Sequence, residues 1–143
     1  MSTLGSAVRA GASALAAERM RIEVAVSNLA NAESTRGPDG QPYKRRDVVL
    51  QTTTVQDFDD SLGRASAVGV KVTDIVEDQT PFRRRFEPSH PDADKDGYVT
   101  LPNVDPAEEM VDMLGAARAY QANLTAIGLI RDLVQRALDL GRG

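Results

Sequence analysis

The sequence predicts an α+β fold: long N- and C-terminal helices forming a coiled-coil-like pair, with a small β-rich middle domain. Three observations predict it. Residues 2 to about 33 are alanine-rich and proline-free. Residues 34–103 hold six of the seven prolines and most of the β-branched runs. Residues 107–140 are again proline-free, with Leu, Ala and Met recurring. The expected division is 1–35, 36–103 and 104–143.

In the first helix Leu4, Val8, Gly11, Leu15, Glu18, Ile22, Ala25, Leu29 and Ala32 are spaced alternately four and three apart. That is the narrow seam of a coiled-coil contact rather than the wide stripe of a surface helix. Glu18 interrupts the seam and needs a partner. Gly5, Ala7, Gly11, Ala12, Ala14, Ala16 and Ala17 leave little side-chain volume, so this helix suits close approach of another backbone.

The last helix carries a second seam: Met110, Met113, Ala117, Tyr120, Leu124, Ile127, Arg131, Val134 and Leu138. Leu114, Ile130 and Leu133 flank it, giving more apolar surface than one partner covers. Asp105 is the expected cap, Pro106 the first helical residue and Glu108 the third member of a capping box. At ~1.5 Å per residue, helices of this size run to roughly 45–50 Å. Periodicity alone leaves open whether the seams meet inside one molecule or between molecules.

The middle segment offers strand candidates at YKRRDVVLQTTT (43–54), GVKVTDIV (69–76), PFRRRFEP (81–88) and GYVTL (97–101), enough for a small antiparallel sheet. GPDG at 37–40, Pro81, Pro88, Pro91 and Asp96–Gly97 supply turns. QDFDDSLGRASAV (56–68) reads as a loop.

DADKDGYVTLPN (92–103) has the look of a calcium loop, with Asp92, Asp94 and Asp96 at alternate positions before Gly97. Such a loop needs a bidentate Glu at its twelfth position, where Asn103 stands, and entering helices, which Pro88 and Pro91 forbid. Asp96–Gly97 is equally a turn into GYVTL. A calcium-binding module built on residues 92–97 is the rival reading. An enzyme using His90 is a third, since the sequence shows no partner set for nucleophilic catalysis.

Composition narrows the classes further. Seventeen Lys and Arg against 21 Asp and Glu give −4 overall. No nucleic-acid partner is expected from that balance, and Arg83–Arg85 and Lys44–Arg46 read as solvated faces or ion-pair partners. The absence of Cys excludes disulfides and thiolate metal sites. No apolar run approaches the ~20 residues of a membrane span, and the N-terminus lacks the apolar block of a cleavable signal peptide. No cofactor is expected.

Asn28 and Asn31 in SNLANAES, and Tyr120, Gln121 and Asn123 in RAYQANL, fit either local backbone bonding or hydrogen bonds between packed helices. These residues also carry a likeness. SNLANAEST after an Ala-rich helix, with EMVDMLGAARAYQANLTAI near the C-terminus, resembles the paired terminal signatures of flagellar axial proteins. GVKVTDIVEDQTPFRRRFEPSHPDADKDGYVTLPNV resembles the segment characteristic of the proximal rod members of that family. The resemblance covers nearly the whole chain. It implies a structural subunit of the flagellar basal-body rod, exported by the flagellar type III apparatus without a cleaved signal peptide and assembling in the periplasm. It implies no catalytic residues, and a helical tube that transmits torque. Implied partners are other proximal rod proteins, the adaptor to the membrane ring, the distal rod protein and further copies of the chain. Expected packing anchors are Leu15, Ile22, Leu29, Leu124, Ile127 and Val134. Expected polar registry points are Asn28, Asn31, Tyr120, Gln121 and Asn123.

Overall fold

A computed structural model of the chain describes residues 2–55 and 67–141. The order of elements is α1 (Ser2–Asn31), β1 (Arg46–Val55), β2 (Ala67–Glu77), β3 (Arg83–Phe86), β4 (Tyr98–Leu101) and α2 (Pro106–Leu140). The expected α+β class, both terminal helices and all four strands are present. Of the loop expected at 56–68, residues 56–66 lie outside the described residues, and 67–68 open β2. Among the described residues no helix is long and apolar enough to cross a membrane.

Both helices end where local chemistry satisfies their free backbone groups. At the end of α1, Asn31 Nδ2 donates to Ser27 O at 2.8 Å, and Ser34 Oγ donates to Asn31 O at 2.8 Å. At the start of α2, Ala107 N donates to Asp105 Oδ1 at 2.8 Å, which makes Asp105 the cap and Pro106 the first helical residue.

The middle strands form two separate two-stranded sheets, β1–β2 and β3–β4, rather than one. A pinned turn intervenes. Asn103 Nδ2 donates to Asp78 O at 3.1 Å and to Thr80 O at 3.2 Å, and Thr80 N donates to Asp78 Oδ1 at 2.8 Å. Pro81 follows, with no N–H to continue a ladder.

β3 and β4 are antiparallel, with Arg85 opposite Val99 and Phe86 opposite Tyr98. Val99 and Leu101 point inward and join Val104 in a small buried core, while Tyr98 and Thr100 face out. Gly97 has φ +82°, and a Cβ there would lie 2.9 Å from Phe86 Cε2, so conformation and space both call for glycine.

The chain forms two compact units. The first comprises Met1–Met20, Leu50–Thr73 and Gly115–Gly143; the second comprises Arg21–Val49 and Asp74–Leu114. In the first, α1 and α2 meet where Gly11 faces Ile127: a Cβ on Gly11 would lie 3.0 Å from Ile127 Cγ1. Val70 N also donates to Ser13 Oγ at 3.1 Å, tying β2 to α1.

Candidate functional site

The first seam holds from Gly11 to Ala32. Gly11, Leu15, Glu18, Ile22 and Leu29 are half-buried and Ala25 and Ala32 buried, while Leu4 and Val8 are exposed.

The second seam is covered within the chain only in part. Besides Pro106, Ala119 and Gly128, which are also partly covered, the covered residues of α2 are Glu109, Met113, Ala116, Tyr120, Asn123, Ile127, Ile130 and Val134. They follow the same four–three rhythm, but at every second position they lie one residue before the line read from apolar periodicity. At two of these positions, Glu109 and Asn123, the covered residue is polar and a search for apolar residues passes over it; at Ala116 and Ile130 the fixed rhythm alone carries the line one residue on. Met110, Ala117, Leu124, Arg131 and Leu138 are exposed instead. Leu124 is 47% exposed, and Leu129 and Leu133 are 61% and 63% exposed.

In the second unit, Glu109 is the centre of a polar cluster. Its side chain is 2% exposed and that of Asn28 is 1% exposed. Asn28 Nδ2 donates to Glu109 Oε2 at 3.0 Å and to Arg46 O at 2.8 Å. Asn28 Oδ1 accepts from Arg46 N and from the Tyr43 hydroxyl, both at 2.9 Å. Arg45 Nε donates to Glu109 Oε1 at 2.6 Å, and its Nη2 lies 3.5 Å from Asp112 Oδ2. Burial pushes the Arg45 guanidinium down, but its bonds and attraction to Glu109 outweigh that and hold its pKa above the ordinary value. Among the described residues no buried side-chain nitrogen or oxygen lacks a partner.

Asn28 therefore bonds across helices, within one subunit. The other registry candidates are more local. Asn31 bonds its own helix end, as Asn123 does through a bond from Nδ2 to Ala119 O at 3.0 Å. Gln121 is exposed and accepts through its backbone oxygen from Thr125 Oγ1, and Tyr120 is half-buried. Of the packing anchors, Leu15, Ile22, Leu29, Ile127 and Val134 are half-buried and only Leu124 is exposed. Glu109 and Tyr43 were missed by sequence reasoning, while Arg45, read within Lys44–Arg46 as a solvated face or an ion-pair partner, is an ion-pair partner. Glu108 was expected to complete the capping box, yet it is exposed while its neighbour Glu109 is buried. The signal available was that Glu109 stands four residues before Met113 and seven before Ala116, on the covered line.

The aspartate loop is a turn held by its own side chains. Asp94 Oδ1 accepts from Asp96 N and Tyr98 N, both at 2.9 Å, and Asp94 Oδ2 pairs with Arg84 Nη2 at 2.5 Å. Asp92 accepts from Thr35 Oγ1 at 2.7 Å and pairs with Arg36 Nε at 2.8 Å. Among the described residues no group of three His, Asp or Glu is arranged to hold a metal ion. His90 is engaged locally, its Nδ1 accepting from Asp92 N at 3.0 Å. The arginine run on β3 serves as ion-pair partners, since Arg85 reaches Glu33 at 2.7 Å and Glu87 at 3.2 Å.

Comparison with known proteins places this arrangement in a family. Residues 9–38 match the family model described as flagella basal body rod protein, and residues 95–140 match that of the flagellar basal body rod FlgEFG protein C-terminal. The chain is 45% identical over 130 residues to the flagellar basal-body rod protein FlgC of Salmonella typhimurium, covering 91% of this chain and 92% of that one. This chain belongs to the FlgC family. It is 40% identical over 140 residues to FlgC of Bacillus subtilis, covering 92% of this chain and 93% of the other. It is 37% identical over 150 residues to FlgC of Borreliella burgdorferi, covering 98% and 99%. As a member of the FlgC family it is a structural subunit of the flagellar basal-body rod, and its aspartate turn falls within the stretch shared with rod proteins.

Proposed function

We propose that the chain is a non-catalytic building block of the proximal rod, packing with other rod proteins and with further copies of itself into a helical tube that transmits torque. In this reading residues 1–35 and 104–143 are the assembling helices, and 36–103 is the middle domain they carry. Its neighbours are the other proximal rod proteins, the adaptor to the membrane ring and the distal rod protein. It reaches the periplasm without a cleaved signal peptide.

The observation that carries the reading is the apolar surface left open on α2, where Leu124, Leu129 and Leu133 are exposed. A further apolar groove of about 530 Å³ is lined by Leu4, Val8, Ile130 and Val134. Exposed apolar surface of this kind marks protein interaction sites, and a head-to-tail contact that does not close builds an open helical polymer. Leu15, Ile22, Leu29, Ile127 and Val134 then hold the helix pair, while Leu124, with Gln121 beside it, faces the neighbour. Asn31, Tyr120 and Asn123 fix helix ends and spacing.

The test is Leu124→Asp. Because Leu124 is exposed, the isolated variant should unfold within about 0.5 kcal/mol of the parent, yet fail to enter basal bodies. Purified basal bodies carrying normal amounts of the variant would overturn the reading.

A further inference from the structure

We propose that the Asn28–Glu109–Arg45 cluster is a register lock: it admits one alignment of α1 against α2 and rejects alignments displaced by a turn. The apolar residues of the helix pair discriminate poorly between registers. The fully buried apolar residues of the pair are Ala17 and Ala25 in α1, Ala32 just beyond its end, and Ala116 in α2. At these fully buried positions one alanine presents much the same surface as the next, so sliding a helix by a turn exchanges like for like there, and only half-buried contacts such as Gly11 against Ile127 resist it. Single polar residues in such seams set register because a displaced partner leaves a buried polar group unmatched.

Asn28 fits that role because its bonding capacity is full and its partners come from two other segments. Its two N–H groups go to Glu109 and Arg46 O, and its oxygen accepts from Arg46 N and Tyr43. A one-turn slide toward the N-terminus of α1 would bring Val24 or Ala25 to Glu109, and neither side chain donates. A slide the other way would bring Asn31, but the bonds from Tyr43 and Arg46 would stay behind. In the first case Glu109 keeps Arg45 alone, in a site that is 2% exposed; in the second Asn31 can donate to it, but the Arg46 backbone and the Tyr43 hydroxyl lose the partner they have in Asn28. The cluster is fully satisfied in one alignment only.

The chain contains no cysteine, so engineered pairs report register without background. Gly11→Cys with Ile127→Cys places two thiols where the helices touch. In the full chain with its native cluster, this pair should close to a disulfide rapidly under mild oxidant. In the same chain carrying Asn28→Leu and Glu109→Leu, helix content by circular dichroism should be retained while closure slows by about tenfold or more, as displaced alignments about 5.4 Å apart become populated. Unchanged closure with retained helicity would overturn the lock. If the double variant loses its helices, Asn28→Ser, which keeps one donor, carries the test. Slowed closure supports the lock, and closure at the parent rate overturns it.

Discussion

The two compact units solve the same problem, holding α1 against α2, by different chemistry. In the unit containing Arg21–Val49 and Asp74–Leu114, the helices are joined through a buried carboxylate with an amide and a guanidinium around it. In the unit containing Met1–Met20, Leu50–Thr73 and Gly115–Gly143, they meet by close packing at Gly11 and Ile127, and leucines remain exposed. A buried polar cluster is demanding about its partners, since each unmatched group is costly, so it confers specificity. Apolar packing of small residues is tolerant. Both units leave large apolar side chains exposed, Leu124, Leu129 and Leu133 in one and Val111, Leu114 and Phe86 in the other, so the difference lies in how the helices are joined.

The sharpest way to break this comparison is Glu109→Ala. It strands the Asn28 amide and the Arg45 guanidinium, and removing one partner of a buried pair costs roughly 3–5 kcal/mol. Arg45 is itself 20% exposed and keeps Asp112 nearby, so about 3 kcal/mol is expected. The matching change in the other unit, Ser13→Ala, removes the acceptor for Val70 N and a local bond from Ser13 Oγ to Ala10 O, and should cost about 1 kcal/mol. Urea unfolding of the isolated chain measures both, and equal losses would dissolve the distinction.

How much of this could be read beforehand follows from the same chemistry. Helix positions were legible because proline marks the boundaries and the four–three rhythm is strong. The caps were legible because Asp105–Pro106 is a local signal. The turn at Asp96–Gly97 was legible for the same reason. The cluster was not, because Asn28, Arg45 and Glu109 are brought together by long-range packing, and no local pattern distinguishes a buried glutamate from a solvated one. That same blindness carried the second seam past Glu109 and Asn123. The surplus of apolar residues on α2 was legible, but which of them stay exposed is decided by how α2 is rotated about its axis.

Gly11→Val sharpens the comparison from the apolar side. A Cβ at Gly11 would already lie 3.0 and 3.1 Å from Ile127 Cγ1 and Cδ1. Valine adds two methyls to that space, and overpacking of this kind costs roughly 1–3 kcal/mol. The melting temperature of the isolated chain should fall accordingly. An unchanged value would mean that the helices can part there without loss, and that close packing is not what joins them.

Gly115→Ala should act in the opposite direction. Gly115 is exposed, in α2, and nothing lies within 4 Å of the position its Cβ would occupy. Alanine should therefore raise stability by about 1 kcal/mol through helix propensity alone. Failure to stabilise would mean that this face of α2 is not open in the isolated chain.

The smallest effect belongs to the aspartate turn, which lies in the polar unit but at its surface. The Asp94 carboxyl is held below the ordinary aspartate value, first because the Tyr98 N–H donates to it, then through Asp96 N–H and Arg84, which together outweigh its partial loss of water. A depressed folded-state value means that the bonded carboxylate stabilises the turn fully above the unfolded aspartate value of about 3.9. The contribution is then lost as pH falls through the lower folded value, because protonation removes the acceptor charge. Lowering the pH from about 6 to about 2 should therefore loosen the Tyr98 amide toward hydrogen exchange, after correction for the intrinsic rate. Asp94→Asn should show weaker protection at neutral pH and little further dependence over the same range. If protection at Tyr98 followed pH identically in parent and variant, the turn would owe its order to the β3–β4 ladder and Gly97 rather than to this carboxylate. The polar unit's reliance on matched charge would then end at its buried cluster.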